Sequence, residues 1–67
     1  MAARRAIGRR VQDQRMRKDF TQEKLAERAG IDRSTVQRLE AGTSDAKISH
    51  LLRVARALDI HVTDFLD

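Results

Sequence analysis

The stretch from Thr21 to Gly42, TQEKLAERAGIDRSTVQRLEAG, leaves this chain few ways to fold. Leu25, Ala26 and Ala29 recur at helical spacing and give its first half one apolar side. Val36 and Leu39 do the same for its second half. Gly30 follows the last periodic residue of the first half, where a helix end favours positive φ. Asp32 stands at an N-cap position, where a carboxylate accepts from free backbone N–H groups. The spacing therefore predicts two short helices joined by a tight turn at Ala29-Gly30-Ile31, the second stopped by Gly42. Ala26 keeps the first helix slim where the second must approach. Arg33, Ser34, Gln37 and Arg38 fall on a face of the second helix away from Val36 and Leu39. An outward row of hydrogen-bonding side chains on a short, pinned helix is a shape that fits a groove.

With 67 residues the chain is expected to form one domain, residues 1–67. A domain of this size buries only about 60% of its unfolded surface, so it is marginal alone. There is no cysteine, so neither a disulfide nor a thiolate metal site helps it, which fits a reducing cytoplasm. Phe20 and Phe65 are the only aromatic residues, so the core must be aliphatic. No apolar run approaches the ~20 residues of a membrane span, and no segment resembles a signal peptide. The formal net charge of +4 favours an acidic polymer as partner, although a generic solvated surface has the same balance.

Taken in order, a first helix is expected from Arg4 to Lys18, with Ile7 and Val11 as its inner stripe. Gln14 and Arg15 continue that stripe with polar groups, and Arg15 there needs an acid. Arg4, Arg5, Arg9, Arg10, Arg17 and Lys18 surround it as a solvated face or as phosphate contacts. Phe20 drops into the core, and Thr21 caps the next helix. Beyond the polar loop Thr43–Lys47, the segment KISHLLRVARAL reads as a fourth helix with Ile48, Leu51, Leu52, Ala55 and Leu58 inward. A last helical turn, Val62 to Leu66, follows. The expected fold is all-α, a compact five-helix bundle.

The wording of residues 21–42 resembles the helix-turn-helix of the lambda-repressor/Cro-like (XRE-class) DNA-binding family, and the resemblance extends from Ile7 to Leu66. It implies base contacts from Arg33, Ser34, Gln37 and Arg38, matched position by position. The bidentate chemistry agrees: arginine pairs with guanine and glutamine with adenine in the major groove. Thr21 and Gln22 lie at a helix N-terminus, where backbone N–H groups favour phosphate. Thr43, Ser44 and Lys47 match the family's second phosphate clamp. Ser34 and Thr43 have a blander reading as local caps. The resemblance also implies a structural pair between Arg15 and Glu40. The chain departs from the family at Asp19 and Asp59, where glycine is usual, at Ala46 and Lys47, where proline and Ser or Thr are frequent, and at His61, where a capping serine is common.

Catalytic chemistry is hard to find. His50 and His61 are far apart and have no ligand partners at metal spacing, and there is no glycine-rich phosphate loop. No enzyme activity, cofactor, metal or small-molecule ligand is expected. The leading expectation is a sequence-specific, double-stranded-DNA-binding transcriptional regulator, a repressor or autoregulator, acting as a homodimer in the cytoplasm on the nucleoid. Selectivity argues for two copies on half-sites ~34 Å apart, because one recognition helix reads only a few base pairs. Val62, Phe65 and Leu66 are the candidate dimer interface, or else they close the core of one chain. The rival reading is a protein-interaction module that binds a toxin or the transcription machinery and holds DNA only weakly.

Overall fold

The computed structural model describes residues 2–43 and 46–66. Four α-helices carry it: α1 (Ala2–Arg17), α2 (Gln22–Ala29), α3 (Arg33–Ala41) and α4 (Ile48–Leu58). The expected fifth helix is a single 3-10 turn, Val62–Phe65. Four residues entered from His61, whose side chain makes no cap hydrogen bond, leave little to propagate an α-helix.

All four helices end the same way. A residue with positive φ follows each one: Asp19 (58°), Gly30 (69°), Gly42 (70°) and Asp59 (57°). Around each, two backbone N–H groups fold back on the last turn. Phe20 N donates to Arg15 O at 3.1 Å, Ile31 N to Ala26 O at 3.1 Å, Thr43 N to Arg38 O at 3.2 Å and Ile60 N to Ala55 O at 3.0 Å. This six-to-one closure satisfies carbonyls that the helix leaves open. Aspartate does at two corners what glycine does at the other two, at the cost of crowding its own Cβ.

The helix starts are less uniform. Thr21 Oγ1 accepts from Lys24 N at 3.0 Å, so α2 has the side-chain cap its sequence promises. Asp32 occupies the N-cap of α3 in extended conformation, but its carboxylate makes no cap hydrogen bond, which corrects the expectation. Lys47, the residue before α4, offers none either.

Val11, Leu25, Ala26, Ala29, Val36, Leu39, Leu51, Val54, Ala55, Leu58 and Phe65 form the buried core. Ile7 and Phe20 pack at its margin. On α4 the buried stripe is Leu51, Val54, Ala55 and Leu58, one i, i+3, i+4, i+7 face. Ile48 and Leu52, expected inward, lie on the flank of that stripe and remain 58% and 50% exposed. Val54 takes the inner place instead.

α1 packs chiefly on α3, and α2 lies against α3 and α4. The α1–α3 contact is close because of Gly8, which is buried. A Cβ there would stand 2.6 Å from Glu40 O and also inside contact distance of Leu39 O. The last turn of α3 therefore rests directly on the backbone of α1. At the same crossing, a Cβ on Gly42 would meet Arg5 Cα at 3.1 Å.

Candidate nucleic-acid interface

α3 has two unlike sides. Val36 and Leu39 are buried in the core, whereas Arg33, Ser34, Gln37 and Arg38 are all exposed. Its position is set by a polar knot at its C-terminal end. Arg15 Nε donates to Glu40 Oε2 at 2.7 Å and Arg15 Nη2 to Glu40 Oε1 at 3.2 Å. Arg15 Nη1 donates to Phe20 O at 2.7 Å, and Gln22 Nε2 to Glu40 Oε1 at 3.0 Å. The Arg15 and Glu40 side chains are only 12% and 3% exposed. A two-pronged guanidinium–carboxylate contact has a fixed geometry and strengthens in a low-dielectric setting. Here it ties α1, the α1–α2 corner and the first residue of α2 to the end of α3. The cost of removing either partner is high, because the other is left buried and uncompensated.

The knot also changes what Gln22 can offer. One amide hydrogen is committed to Glu40, leaving the second hydrogen and the carbonyl oxygen for a ligand. Gln22 thus links the docking of α2 to any group it touches outside. A cleft lined by Thr21, Gln22, Glu23 and Arg33 opens on this side of the first turn of α3.

The other candidate contacts are placed as follows. Thr43 is exposed, and its hydroxyl donates at 3.5 Å to Arg38 O, a weak bond that closes the end of α3. Lys47 is exposed at the start of α4. Ser44 lies outside the described residues. Among the basic residues of α1, Arg10 has a structural duty: its Nη1 donates to Phe65 O at 3.2 Å and anchors the final turn. Phe65 itself is completely buried in its own chain, where it closes the core; Leu66, 48% exposed, and the half-buried Val62 are what that end presents.

Sequence reasoning missed three features. Gly8 carried no signal beyond being a glycine inside a helix. Arg28, 5.5 Å over the Phe20 ring, is a cation–π contact between α2 and the corner before it. A second groove, on the α4 side of α3, is lined by Asp32 and Thr35 facing Ser49, His50 and Arg53. The last three share a face of α4, a spacing visible in the sequence but mute without knowing what α4 packs beside. Among the described residues no group of three or more His, Cys, Asp or Glu is placed to hold a metal, and no helix is long and apolar enough to cross a membrane.

Comparison with known proteins agrees with this geometry. The helix-turn-helix family profile matches residues 11–65. The crystal structure of the restriction-modification controller protein C.AhdI from Aeromonas hydrophila superposes with a TM-score of 0.93 at 34% identity, covering 97% of this chain and 98% of that one. The clp gene regulator ClgR from Corynebacterium glutamicum superposes with a TM-score of 0.88 at 30% identity, covering 96% of this chain and 83% of that one. No curated protein sequence matches the chain.

Proposed function

This chain belongs to the helix-turn-helix family, whose members are DNA-binding transcription regulators, and from that premise we propose that it reads a specific double-stranded site as a homodimer, as a repressor or autoregulator. The observation that carries the reading is the two-sidedness of α3. Val36 and Leu39 fix it in the core, the Arg15–Glu40–Gln22 knot fixes its end, and Arg33, Ser34, Gln37 and Arg38 are left facing out. Arg33, Arg38 and Gln37 supply the bidentate donors that discriminate base pairs in a major groove. Thr21, Gln22, Thr43, Ser44 and Lys47 are assigned to the phosphates beside it.

A second copy is needed to lengthen the site that is read. Ile48 and Leu52, one turn apart on the free flank of α4, together with Leu66 and Val62, supply the apolar area for it. The reading places the protein on the nucleoid in the cytoplasm and gives it no catalytic role. The similarity to a restriction-modification controller makes promoters of restriction-modification genes the first targets to examine.

Selection from a random duplex pool tests the reading, and a two-fold symmetric motif is the expected product. Arg33→Ala and Arg38→Ala then cost roughly 1–3 kcal/mol on that site and relax one base pair of each half-site. Equal losses on specific and scrambled duplexes would show that these arginines only hold phosphates. Binding with neither sequence preference nor salt dependence would move the assignment to a protein-interaction module.

A further inference from the structure

A helix lying in the major groove has a phosphate strand on each side, across a width of about 12 Å. The α2 side of α3 has its polar cleft at Thr21 and Gln22. The α4 side has the groove whose walls are Asp32 and Thr35 on one bank and Ser49, His50 and Arg53 on the other. The first cleft takes in Arg33 at the start of α3, and the second takes in Asp32 and Thr35, the residues just before Arg33 and just after Ser34.

The second groove has its cation positioned. A Cβ on Gly30 would lie 3.3 Å from Arg53 Nη1, so the guanidinium sits over the bare turn between α2 and α3. Gly30 leaves that space open. Arg53 is exposed and forms no ion pair among the described residues. Ser49 supplies a hydroxyl and His50, half-buried, a ring N–H. The opposing charge in the groove is Asp32, whose carboxylate is not used to cap α3.

We propose that this groove seats a DNA backbone phosphate on the strand opposite the one met by Thr21 and Gln22, with Arg53 as its cation and Ser49 and His50 as hydrogen-bond donors. The proposal rests on the DNA-reading function above and adds residues that the loop clamp at Thr43, Ser44 and Lys47 does not include. Asp32 opposes the phosphate and weakens the seat, which gives the proposal a second sign to test.

The experiment titrates the parent protein, Arg53→Ala, Arg53→Lys and Asp32→Asn against specific and scrambled duplexes between 50 and 200 mM salt. Loss of one phosphate contact lowers the salt slope by about 0.9, so the affinity advantage of the parent over Arg53→Ala should shrink about 3.5-fold across that range. The loss should be the same on both duplexes. Arg53→Lys should keep the parental slope, and Asp32→Asn should bind both duplexes more tightly than the parent. Replacing single phosphates by uncharged methylphosphonates supplies a test independent of any protein variant's folding. One position per half-site should weaken the parent clearly more than it weakens Arg53→Ala, which keeps only the Ser49 and His50 donors there. If Arg53→Ala keeps the parental affinity and slope while the parent binds DNA in a salt-dependent way, the groove faces solvent and the seat is wrong, with the DNA reading intact. If the parent binds no DNA, both fall together.

Discussion

Gly8→Ala sets two physical effects of opposite sign against each other. Alanine is the better helix former, and on propensity alone the change would stabilise α1 by about 1 kcal/mol. The structure argues for the reverse. The added methyl would lie 2.6 Å from Glu40 O and also press on Leu39 O, and both obstacles are backbone rather than a side chain that can swing away. Restoring an ordinary contact of about 3.4 Å to Glu40 O alone requires α1 and α3 to part by roughly 0.8 Å, and Leu39 O, which lies nearer, requires more. That separation also strains the 2.7 Å contact between Arg15 Nε and Glu40 Oε2, which spans the same two helices. Overpacking typically costs 1–3 kcal/mol, and a rigid obstacle places this case near ~3. Subtracting the propensity gain leaves a net loss of about 2 kcal/mol. For a domain of this size that lowers the thermal midpoint by roughly 8–16 °C. Thermal and urea unfolding of the parent and variant, followed by circular dichroism at one protein concentration, decide it. A midpoint that is unchanged or raised would refute the close α1–α3 approach.

Three further outcomes are expected. Arg15→Ala and Glu40→Ala should each destabilise by up to ~3–5 kcal/mol, with the double variant well short of their sum, and a double-mutant cycle by urea unfolding that shows no coupling would remove the pair. Leu52→Ser should shift sedimentation towards monomer at micromolar concentration while leaving the unfolding midpoint of the monomer nearly unchanged, because the side chain is 50% exposed; an unaltered dimer would exclude the α4 flank as the interface. Asp59→Gly relieves a left-handed aspartate at φ 57° and should raise stability by about 0.5–1 kcal/mol, read as a higher urea midpoint; a lower one would mean the side chain holds something the corner needs.

The sequence by itself determined what depends on near neighbours along the chain. The apolar spacing at Leu25, Ala26 and Ala29, the stops at Gly30 and Gly42 and the cap at Thr21 are local physics, and α2 begins at that cap while α2 and α3 end at those glycines. At Asp19 and Asp59 the resemblance marked positions where glycine is usual, and both residues have positive φ. The outward face of α3 followed from periodicity alone. What only the tertiary structure decided depends on which surfaces meet. Ile48 and Leu52 are as apolar as Leu51, and nothing local distinguishes the face of α4 that finds the core from the flank that does not. Phe65 stood in the sequence as a candidate to meet a partner, with closure of its own chain as the alternative, and it is fully buried in the core, with Arg10 holding its carbonyl from a helix fifty-five residues away. Gly8 gains its meaning only from the backbone of α3 lying against it, and Arg53 only from the open turn at Gly30 beneath it. Periodicity fixes the direction of a side chain around its own helix axis, whereas its role is fixed by the neighbour that the fold brings to that direction.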